Sequence, residues 1–319
     1  MSRILSIGSI NLDEVFIVPH FIRPGETMAC LSFERFVGGK GNNQSTALAR
    51  AGAEVHHAGK IGADGRFAVE LLRESGVDAS RVIEAAMPTG RALIQVDPSG
   101  QNCILLFGGA NRAIGTADID AFLSGWGKGD SVLFQNEISA LPYAMERAKK
   151  QGLRIYLNPS PADEVIQTLP LEAVDCFILN EIEGALLAGK ELIGEGLAGE
   201  DSMAGGKDSA LSVAEQGEKV LLALRKRFPQ ADIVLTLGAA GACYSGKDGT
   251  KLTVPAAPVK PVDTTAAGDT FTGYFIAALL RGEQPAVAMK EATAAAGICV
   301  TRKGAVVSIP RRDEVRIQL

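Results

Sequence analysis

An alternation of short apolar runs with amphipathic stretches constrains the fold of this chain most. Apolar runs at 131–135, 153–157, 176–179 and 233–237 alternate with helical patterns such as that at 141–150. Such alternation is typical of βαβ units, in which helices cover the faces of a sheet of parallel strands. We therefore predict an α/β fold with a mostly parallel central sheet.

Two other regions have the texture of a separate, smaller sheet. One lies at 13–37 and is rich in β-branched and aromatic residues. The second, at about 91–108, contains two extended runs that flank Asp97-Pro98-Ser99-Gly100, whose proline and glycine fit a hairpin loop. A length of 319 residues fits either about two domains or one α/β domain with a small appendage.

Charge and cysteine content exclude several classes of protein. The net charge is 32 − 37 = −5, and the basic residues are scattered along the chain, so nucleic acid is not an expected partner. Five widely spaced cysteines form no CxxC pair, which favours a reducing cytoplasm. No stretch approaches the ~18 consecutive apolar residues of a membrane helix, so we expect a cytoplasmic protein without a membrane partner.

The segment Gly38-Gly39-Lys40-Gly41-Asn42-Asn43-Gln44 is the first candidate for ligand binding. Glycines at the entry of a helix, predicted from Ser45, allow a ligand to approach the backbone closely. Lys40, Asn43 and Gln44 can bond hydroxyls or neutralise an anion. The alternative is a tight turn with an exposed lysine. The segment is not a Walker A loop, because GxxxxGK[ST] is absent from the chain.

The segment Asp263 to Phe271 is the second candidate and leads into an apolar helix predicted at 270–280. The small residues at 266–268 leave backbone N–H groups unobstructed at the start of that helix, where an anion such as a transferring phosphoryl group is favoured. Asp269 lies at the same terminus and can accept a proton from a substrate hydroxyl. Alternatively, Asp269 only satisfies nearby amides at the helix start.

Polar residues follow three of the predicted buried strands. They are found at 135–137, at 180–183 and at 236–238. Because the carboxyl ends of parallel strands share one edge of a sheet, these residues are expected where α/β proteins bind ligands. Asn180 and Glu183 would share one helical face and suit a hydrated magnesium ion. Capping and turn roles are the alternative for each of these residues.

A match to the dinucleotide-binding pattern GxGxxG occurs at 194–199. It lies in a glycine-rich insertion at 189–206, without a preceding buried strand or a following helical run. Since both elements are needed to bind a pyrophosphate, a Rossmann dehydrogenase is disfavoured.

Taken together and in order, these segments resemble the ribokinase-like (PfkB) carbohydrate kinases. The resemblance extends from 8–13 to 300–305, which is nearly the whole chain. Its two signature regions are 38–44, continued by 59–64, and 263–271. Two ordered signatures of this length are far more specific than either alone.

The resemblance implies a three-layer α/β/α sandwich formed by one domain over 1–319, with a small β-sheet lid at about 13–37 and 91–108. Lys40 and Asn43-Gln44 are more similar to the ribokinase branch than to the fructokinase or adenosine kinase branches. The implied reaction is transfer of the γ-phosphoryl group of MgATP to the 5-hydroxyl of D-ribose, with Asp269 as general base. The amides of the implied anion hole are those of Ala266, Ala267 and Gly268.

The same resemblance assigns the other site residues by position. The residues implied to hold the sugar are Asn11, Asp13, Gly39, Lys40, Asn43, Glu137 and Asp269. Those implied to serve the nucleotide are Asn180 and Glu183, through the Mg²⁺–phosphate network, and Thr236, Gly238 and Gly268. The implied ligands of an activating K⁺ ion are Asp263, Thr265, Gly304 and Ser308.

The implied partners are a small sugar, ATP and a second copy of the chain, joined through the lid as a homodimer. The acceptor stays open between ribose, deoxyribose, another sugar and a nucleoside, because Asn42 and Asn136 add amides near the expected sugar site. A sugar-binding protein without activity on the same fold is the alternative from another functional class.

Overall fold

Two β-sheets organise the computed structural model, which describes residues 2–189 and 213–316. The strands in this part of the chain are β1 (Ile4–Ile7), β2 (Asn11–Ile17), β3 (Ser32–Gly38), β4 (Val55–Ile61), β5 (Asp78–Glu84), β6 (Gly90–Val96), β7 (Asn102–Phe107), β8 (Ser131–Gln135), β9 (Arg154–Asn158), β10 (Cys176–Asn180), β11 (Asp232–Thr236), β12 (Ala242–Ser245) and β13 (Lys251–Val254). The α-helices are α1 (Lys40–Arg50), α2 (Arg66–Glu74), α3 (Thr116–Phe122), α4 (Leu141–Lys150), α5 (Glu181–Ala188), α6 (Val213–Arg227), α7 (Ala267–Leu280) and α8 (Pro285–Cys299).

The large sheet has nine strands in the order β13-β12-β11-β10-β9-β8-β1-β4-β5. All neighbours from β11 to β5 pair in parallel, and only β12 and β13 add antiparallel pairs at one edge. The central strands β8, β9 and β10 are buried on both faces because helices cover both, as expected for a parallel sheet. The predicted mostly parallel central sheet is therefore confirmed.

Helices divide between the two faces of the large sheet. On β8, Val132 and Phe134 pack into a core with α3, α4, α5 and α6, whereas Leu133 packs into the opposite core with α1, α2, α7 and α8. This alternation follows from the two-residue period of a strand. The three-layer α/β/α sandwich is thus present. No helix among residues 2–189 and 213–316 is both long and apolar enough to cross a membrane.

The small sheet has four strands in the order β3-β2-β6-β7. The central pair β2–β6 is parallel, and the two outer pairs are antiparallel. It is formed from the two regions predicted to be extended, and its strand β7 is exposed throughout. The predicted small second sheet is confirmed, with a mixed rather than a purely antiparallel pattern.

Two helices begin earlier than the sequence indicates, and both starts belong to the candidate site. Helix α1 begins at Lys40, directly after Gly39 with φ of 88°, instead of near Ser45. Helix α7 begins at Ala267, after Ala266 in the left-handed conformation with φ of 61°, instead of at Thr270. The segments expected to be loops are thus first helical turns. At the start of α1, burial outweighs the low helix propensity of glycine and asparagine.

Candidate active site

The N-terminal turns of α1 and α7 meet at the Asp269 carboxylate. Asn43 Nδ2 donates to Asp269 Oδ2 at 2.9 Å, and Gln44 Nε2 donates to Asp269 Oδ1 at 2.8 Å. All three side chains are buried. The carboxylate accepts from the side chains of another helix and does not cap its own helix. The two candidate segments, more than 200 residues apart in sequence, therefore form one site.

Close backbone packing explains the glycines at the start of α1. A Cβ atom at Gly41 would lie 2.5 Å from the backbone nitrogen of Ser9 and 2.6 Å from the carbonyl carbon of Gly8. The Asn42 N–H donates to the Ser9 carbonyl at 2.9 Å in the same contact. Since backbone atoms cannot move aside cheaply, only glycine fits here, and α1 is fixed against the chain between β1 and β2.

The small sheet contributes Asn11 and Asp13 from β2. Two glycines leave space for these polar groups. A Cβ atom at Gly38 would collide with the Asp13 carboxylate, and a Cβ atom at Gly90 would collide with Asn11 Oδ1. Asn111 Nδ2 also donates to Asn11 Oδ1 at 2.8 Å. Both groups are thus held where the two sheets join.

Glu137 connects the end of β8 to α1. Its Oε2 atom accepts from the Lys40 backbone N–H at 2.9 Å and from the Ser9 hydroxyl. Burial lowers the pKa of the Lys40 ammonium, but surrounding carboxylates outweigh burial and hold this pKa above its ordinary value. These carboxylates belong, in decreasing order of effect, to Asp269, Glu137, Glu183 and Asp13.

The pKa of the Asp13 carboxyl is raised by its surroundings. Burial raises its pKa first, and the negative charges of Glu137 and Asp269 raise it further, to about 7. Lys40 acts in the opposite direction without cancelling them. An acid with such a pKa in a group of polar side chains is a functional-site candidate. Asp13, Lys40 and Asp269 are therefore close enough for the charge of each to act on the others.

The start of α7 leaves room for an anion. A Cβ atom at Gly268 would meet nothing within 4 Å, and among the described contacts its backbone N–H has no hydrogen-bond acceptor. The Ala267 N–H, also predicted for the anion hole, donates to the Thr264 carbonyl at 3.2 Å. Ala266 has the left-handed backbone conformation and changes the direction of the chain at this point. Strained backbone conformations of this kind are common at functional sites.

A cavity of about 740 Å³ opens at the same helix start. Three residues predicted to serve the nucleotide, Thr236, Gly238 and Gly268, line it. Other parts of its wall come from 256–261, Phe271 and one face of α8. Sequence reasoning missed the segment 256–261, because its alanines and prolines carry no chemical signal. An apolar cavity of this size is typical of a small-molecule site.

Asn180 and Glu183 form a capping box at the start of α5. Asn180 Oδ1 accepts from the Glu183 N–H at 2.8 Å, and Glu183 Oε2 accepts from the Asn180 N–H at 3.0 Å. The pair therefore has the capping role considered as its alternative. Glu183 is also buried and close enough to raise the pKa of Lys40, so its charge belongs to the site.

The four residues implied for K⁺ form one cluster. Asp263 accepts from the backbone N–H groups of Thr265 and Gly304, each at 2.9 Å. Cys299 joins the rest, because its Sγ lies 3.6 Å from the Thr265 carbonyl oxygen and 3.1 Å from Ser308 Oγ. In the described ranges, no group of three or more His, Cys, Asp or Glu residues is arranged to hold a metal. A cation here would depend on backbone carbonyls.

Comparison with known proteins identifies the family of the chain. The sequence profile of the pfkB family carbohydrate kinases matches residues 1–312. The chain belongs to the pfkB family of carbohydrate kinases. As a member, it is an ATP-dependent enzyme that phosphorylates a carbohydrate.

Relatives and solved structures of this kinase family cover nearly the whole chain. A ribokinase of Haemophilus influenzae is 34% identical over 317 residues, which are 97% of this chain and 95% of the relative. A crystal structure of a Cryptococcus neoformans ribokinase in complex with ADP has a TM-score of 0.81 at 33% identity and 99% coverage of both chains. An Arabidopsis thaliana ribokinase complexed with ribose and ATP also has a TM-score of 0.81, at 27% identity and with 99% and 98% coverage.

Three expectations about polar residues of the carbohydrate kinase are corrected. Gln44 does not face a ligand, because it is fully buried and bonded to Asp269. Asn136 is not an additional amide for the sugar, since its Nδ2 donates to the Pro161 carbonyl at 2.8 Å and to Asp163 at 3.0 Å. Asn42 is buried and donates to Asn43 Oδ1 at 3.4 Å. The glycine-rich segment 190–206 lies outside the described residues.

Proposed function

We propose that this kinase transfers the γ-phosphoryl group of MgATP to the 5-hydroxyl of D-ribose. The observation that carries the proposal is the convergence of the Asp13, Glu137 and Asp269 carboxylates with Lys40 next to the open start of α7. Carboxylates and an ammonium group suit a ligand with several hydroxyls. The names of the relatives, ribokinases with ribose, ATP or ADP bound, supply the acceptor and the donor.

In the proposed reaction Asp269 accepts the proton of the 5-hydroxyl while that oxygen attacks the γ-phosphorus. The bond from phosphorus to the β–γ bridging oxygen breaks, and ADP leaves. The Gly268 N–H at the start of α7 stabilises charge on the transferring group, with the helix dipole aligned behind it. Asn11, Asp13, Gly39, Lys40, Asn43 and Glu137 orient the sugar. Thr236 and Gly238 border the cavity that takes the nucleotide.

Both cations fit residues of the chain. Mg²⁺ is commonly held by one or two carboxylates together with substrate phosphates, so the buried Glu183 and Asn180 suit it without a protein cage. When bound, Mg²⁺ would neutralise phosphate charge. A K⁺ ion would lie in the cluster of Asp263, Thr265, Gly304 and Ser308, where Asp263 holds the loop with two backbone bonds.

A coupled ADP-release assay over ribose, deoxyribose, other sugars and nucleosides tests this function. We expect the largest kcat/KM for ribose and higher rates with K⁺ than with a bulky organic cation at equal ionic strength. A preference for another acceptor would change the substrate within the family. Absence of ADP release with every acceptor would instead support a binding protein on the same fold.

Affinity for the sugar should depend on the pH near neutrality. Because the pKa of Asp13 is raised to about 7, the ionised form that accepts hydroxyl hydrogen bonds is lost as the pH falls through 7. If only this form binds, the dissociation constant for ribose rises about tenfold between pH 8 and pH 6. Calorimetric titration at several pH values measures this. An Asp13→Asn variant, which cannot ionise, should lose the dependence, and an unchanged dependence in that variant would assign it to another group.

We further propose that the small sheet covers the site as a lid and joins two copies into a homodimer. Strand β7 is a sheet edge, and its apolar residues Ile104, Leu105, Leu106 and Phe107 are about half to two-thirds exposed. Exposed apolar edges of this kind are normally covered in the assembled protein. A cytoplasmic location is also proposed and is supported by the five unpaired cysteines.

A charge on this edge should prevent the dimer. We expect light scattering of the unmodified protein to give about twice the 33.4 kDa chain mass, and of Leu105→Asp to give the chain mass, because an unpaired carboxylate would be buried at the interface. Leu222→Asp is the matched control, since Leu222 is a similarly exposed leucine on α6. A Leu105→Asp variant that stays dimeric would place the interface elsewhere.

A further inference from the structure

Three buried amide side chains form a connected set of hydrogen bonds that ends on Asp269. Gln44 Nε2 donates to Asp269 Oδ1 and to Asn158 Oδ1, both at 2.8 Å. Gln44 Oε1 accepts from Gln135 Nε2, also at 2.8 Å. The exposed fractions of Gln44 and Gln135 are 0% and 1%, so neither side chain is free to contact a ligand in solution.

The large sheet determines where these amides lie. Gln135 is the last residue of β8 and Asn158 the last residue of β9, and the parallel register pairs the two directly. Residues paired in register project from the same face of a sheet. Two neighbouring strand ends thus present their amides together to Gln44, which lies on α1 above them.

The hydrogen bonds permit one orientation of the Gln44 amide. Asn158 Nδ2 donates to the Ile178 carbonyl at 2.8 Å, so Asn158 turns its oxygen towards Gln44. Gln44 must therefore present its nitrogen to Asn158 and Asp269, and its oxygen to Gln135. A flipped amide would set an oxygen against two acceptors and leave buried groups unpaired, which is strongly unfavourable.

We propose that Gln44 is a positioning residue that holds the Asp269 carboxylate in its reactive orientation, and that Gln135 acts through Gln44. This inference rests on the proposed role of Asp269 as general base. Gln44 occupies one lone pair of Oδ1 and Asn43 one lone pair of Oδ2, which leaves one lone pair on each oxygen for a substrate proton. Held at both oxygens, the carboxylate cannot rotate, so its free lone pairs keep a fixed direction towards the acceptor hydroxyl.

A double-mutant cycle tests the proposal. Gln44→Met retains the length of the side chain and removes its hydrogen bonds, so we expect kcat to fall roughly 10- to 100-fold, as for other small displacements of a reacting group. The KM for ribose should change by less than about threefold, because the sugar contacts are untouched. Gln135→Met should lower kcat roughly fivefold on its own and cause no further loss in the Gln44→Met background.

Thr46→Val is the matched control for a buried change on α1. The Thr46 hydroxyl is buried on the same helix and has no hydrogen-bond partner, so its removal should leave kcat unchanged. Thermal unfolding and calorimetric ribose binding verify that each variant is folded. If Gln44→Met does not fold, the Gln135→Met variant tests the proposal alone. The proposal then requires that Gln135→Met lowers kcat and leaves the KM for ribose unchanged.

The outcomes separate this inference from the proposed function. Normal kcat in a folded Gln44→Met variant, together with an inactive Asp269→Asn variant, would overturn the positioning role and leave the function standing. Equal losses from Gln135→Met in both backgrounds would show that Gln135 does not act through Gln44. Near-normal turnover of Asp269→Asn would overturn the function and this inference together.

Discussion

Replacement of Asp269 by asparagine should reduce kcat by at least about a hundredfold while ribose still binds. The amide cannot take up the proton of the acceptor hydroxyl, and a positioned general base contributes about 10²- to 10⁴-fold. Steady-state ADP release gives kcat, and calorimetric titration gives the dissociation constant for ribose. A variant with near-normal turnover would exclude Asp269 as the base.

Stability must be measured beside activity in this variant. Both oxygens of Asp269 accept an amide donor, from Asn43 and from Gln44. An amide nitrogen introduced at position 269 cannot accept either bond, so one buried donor loses its partner at a cost of about 1–3 kcal/mol. Asp120→Asn, at an exposed carboxylate that bonds Arg147 and Tyr143, is the control and should leave kcat unchanged.

Replacement of Asp13 by alanine should weaken ribose binding about a hundredfold. A hundredfold loss corresponds to about 2.8 kcal/mol, which lies within the net contribution of about 1.5–3 kcal/mol of one hydrogen bond between a charged group and a sugar hydroxyl. The same substitution is expected to leave the stability of the folded protein unchanged or to raise it. Because the pKa of Asp13 is raised in the folded protein, folding disfavours its ionised form, and the free energy of unfolding decreases as the pH rises from about 4 to about 7.

At pH 8 the Asp13→Ala variant should therefore unfold at the same or a higher temperature than the unmodified protein. Calorimetric titration with ribose and thermal unfolding at pH 8 measure the two effects. Asp97→Ala, in the exposed hairpin loop of the same sheet, should alter neither the affinity for ribose nor its dependence on pH. A lower unfolding temperature with unchanged affinity for Asp13→Ala would give Asp13 a structural role in place of sugar binding.

The layered fold was predictable because its signals are local. Strand β8 and helix α4 have the bounds that the sequence indicates, since a continuous apolar run and an amphipathic helical pattern are each complete within about ten residues. The start of α1 was not predictable in the same way. Its first residues, including Gly41 and Asn43, are poor helix formers, and they are helical because they are buried against the chain at Gly8 and Ser9.

For the site, the sequence showed which residues have reactive or hydrogen-bonding side chains. It did not show which of these side chains contact one another. The carboxylate of Asp269 and the amides of 43–44 were each recognisable as polar groups at a helix start. Their contact joins residues 226 and 225 positions apart, and no local pattern encodes it. The Gln135–Asn158 pair was equally invisible, because it depends on the register between β8 and β9.

The two acids with the largest predicted effects are attached to different parts of the molecule. Asp13 belongs to the small sheet, whereas Asp269 is anchored in α7, most of which is buried next to α1 and α8 in a helical layer of the large sheet. A sugar that contacts both acids therefore bridges the two sheets as a crosslink does. Bound sugar therefore restricts the motion of one sheet relative to the other. Ribose should slow amide hydrogen exchange at the junctions where the chain passes from one sheet to the other.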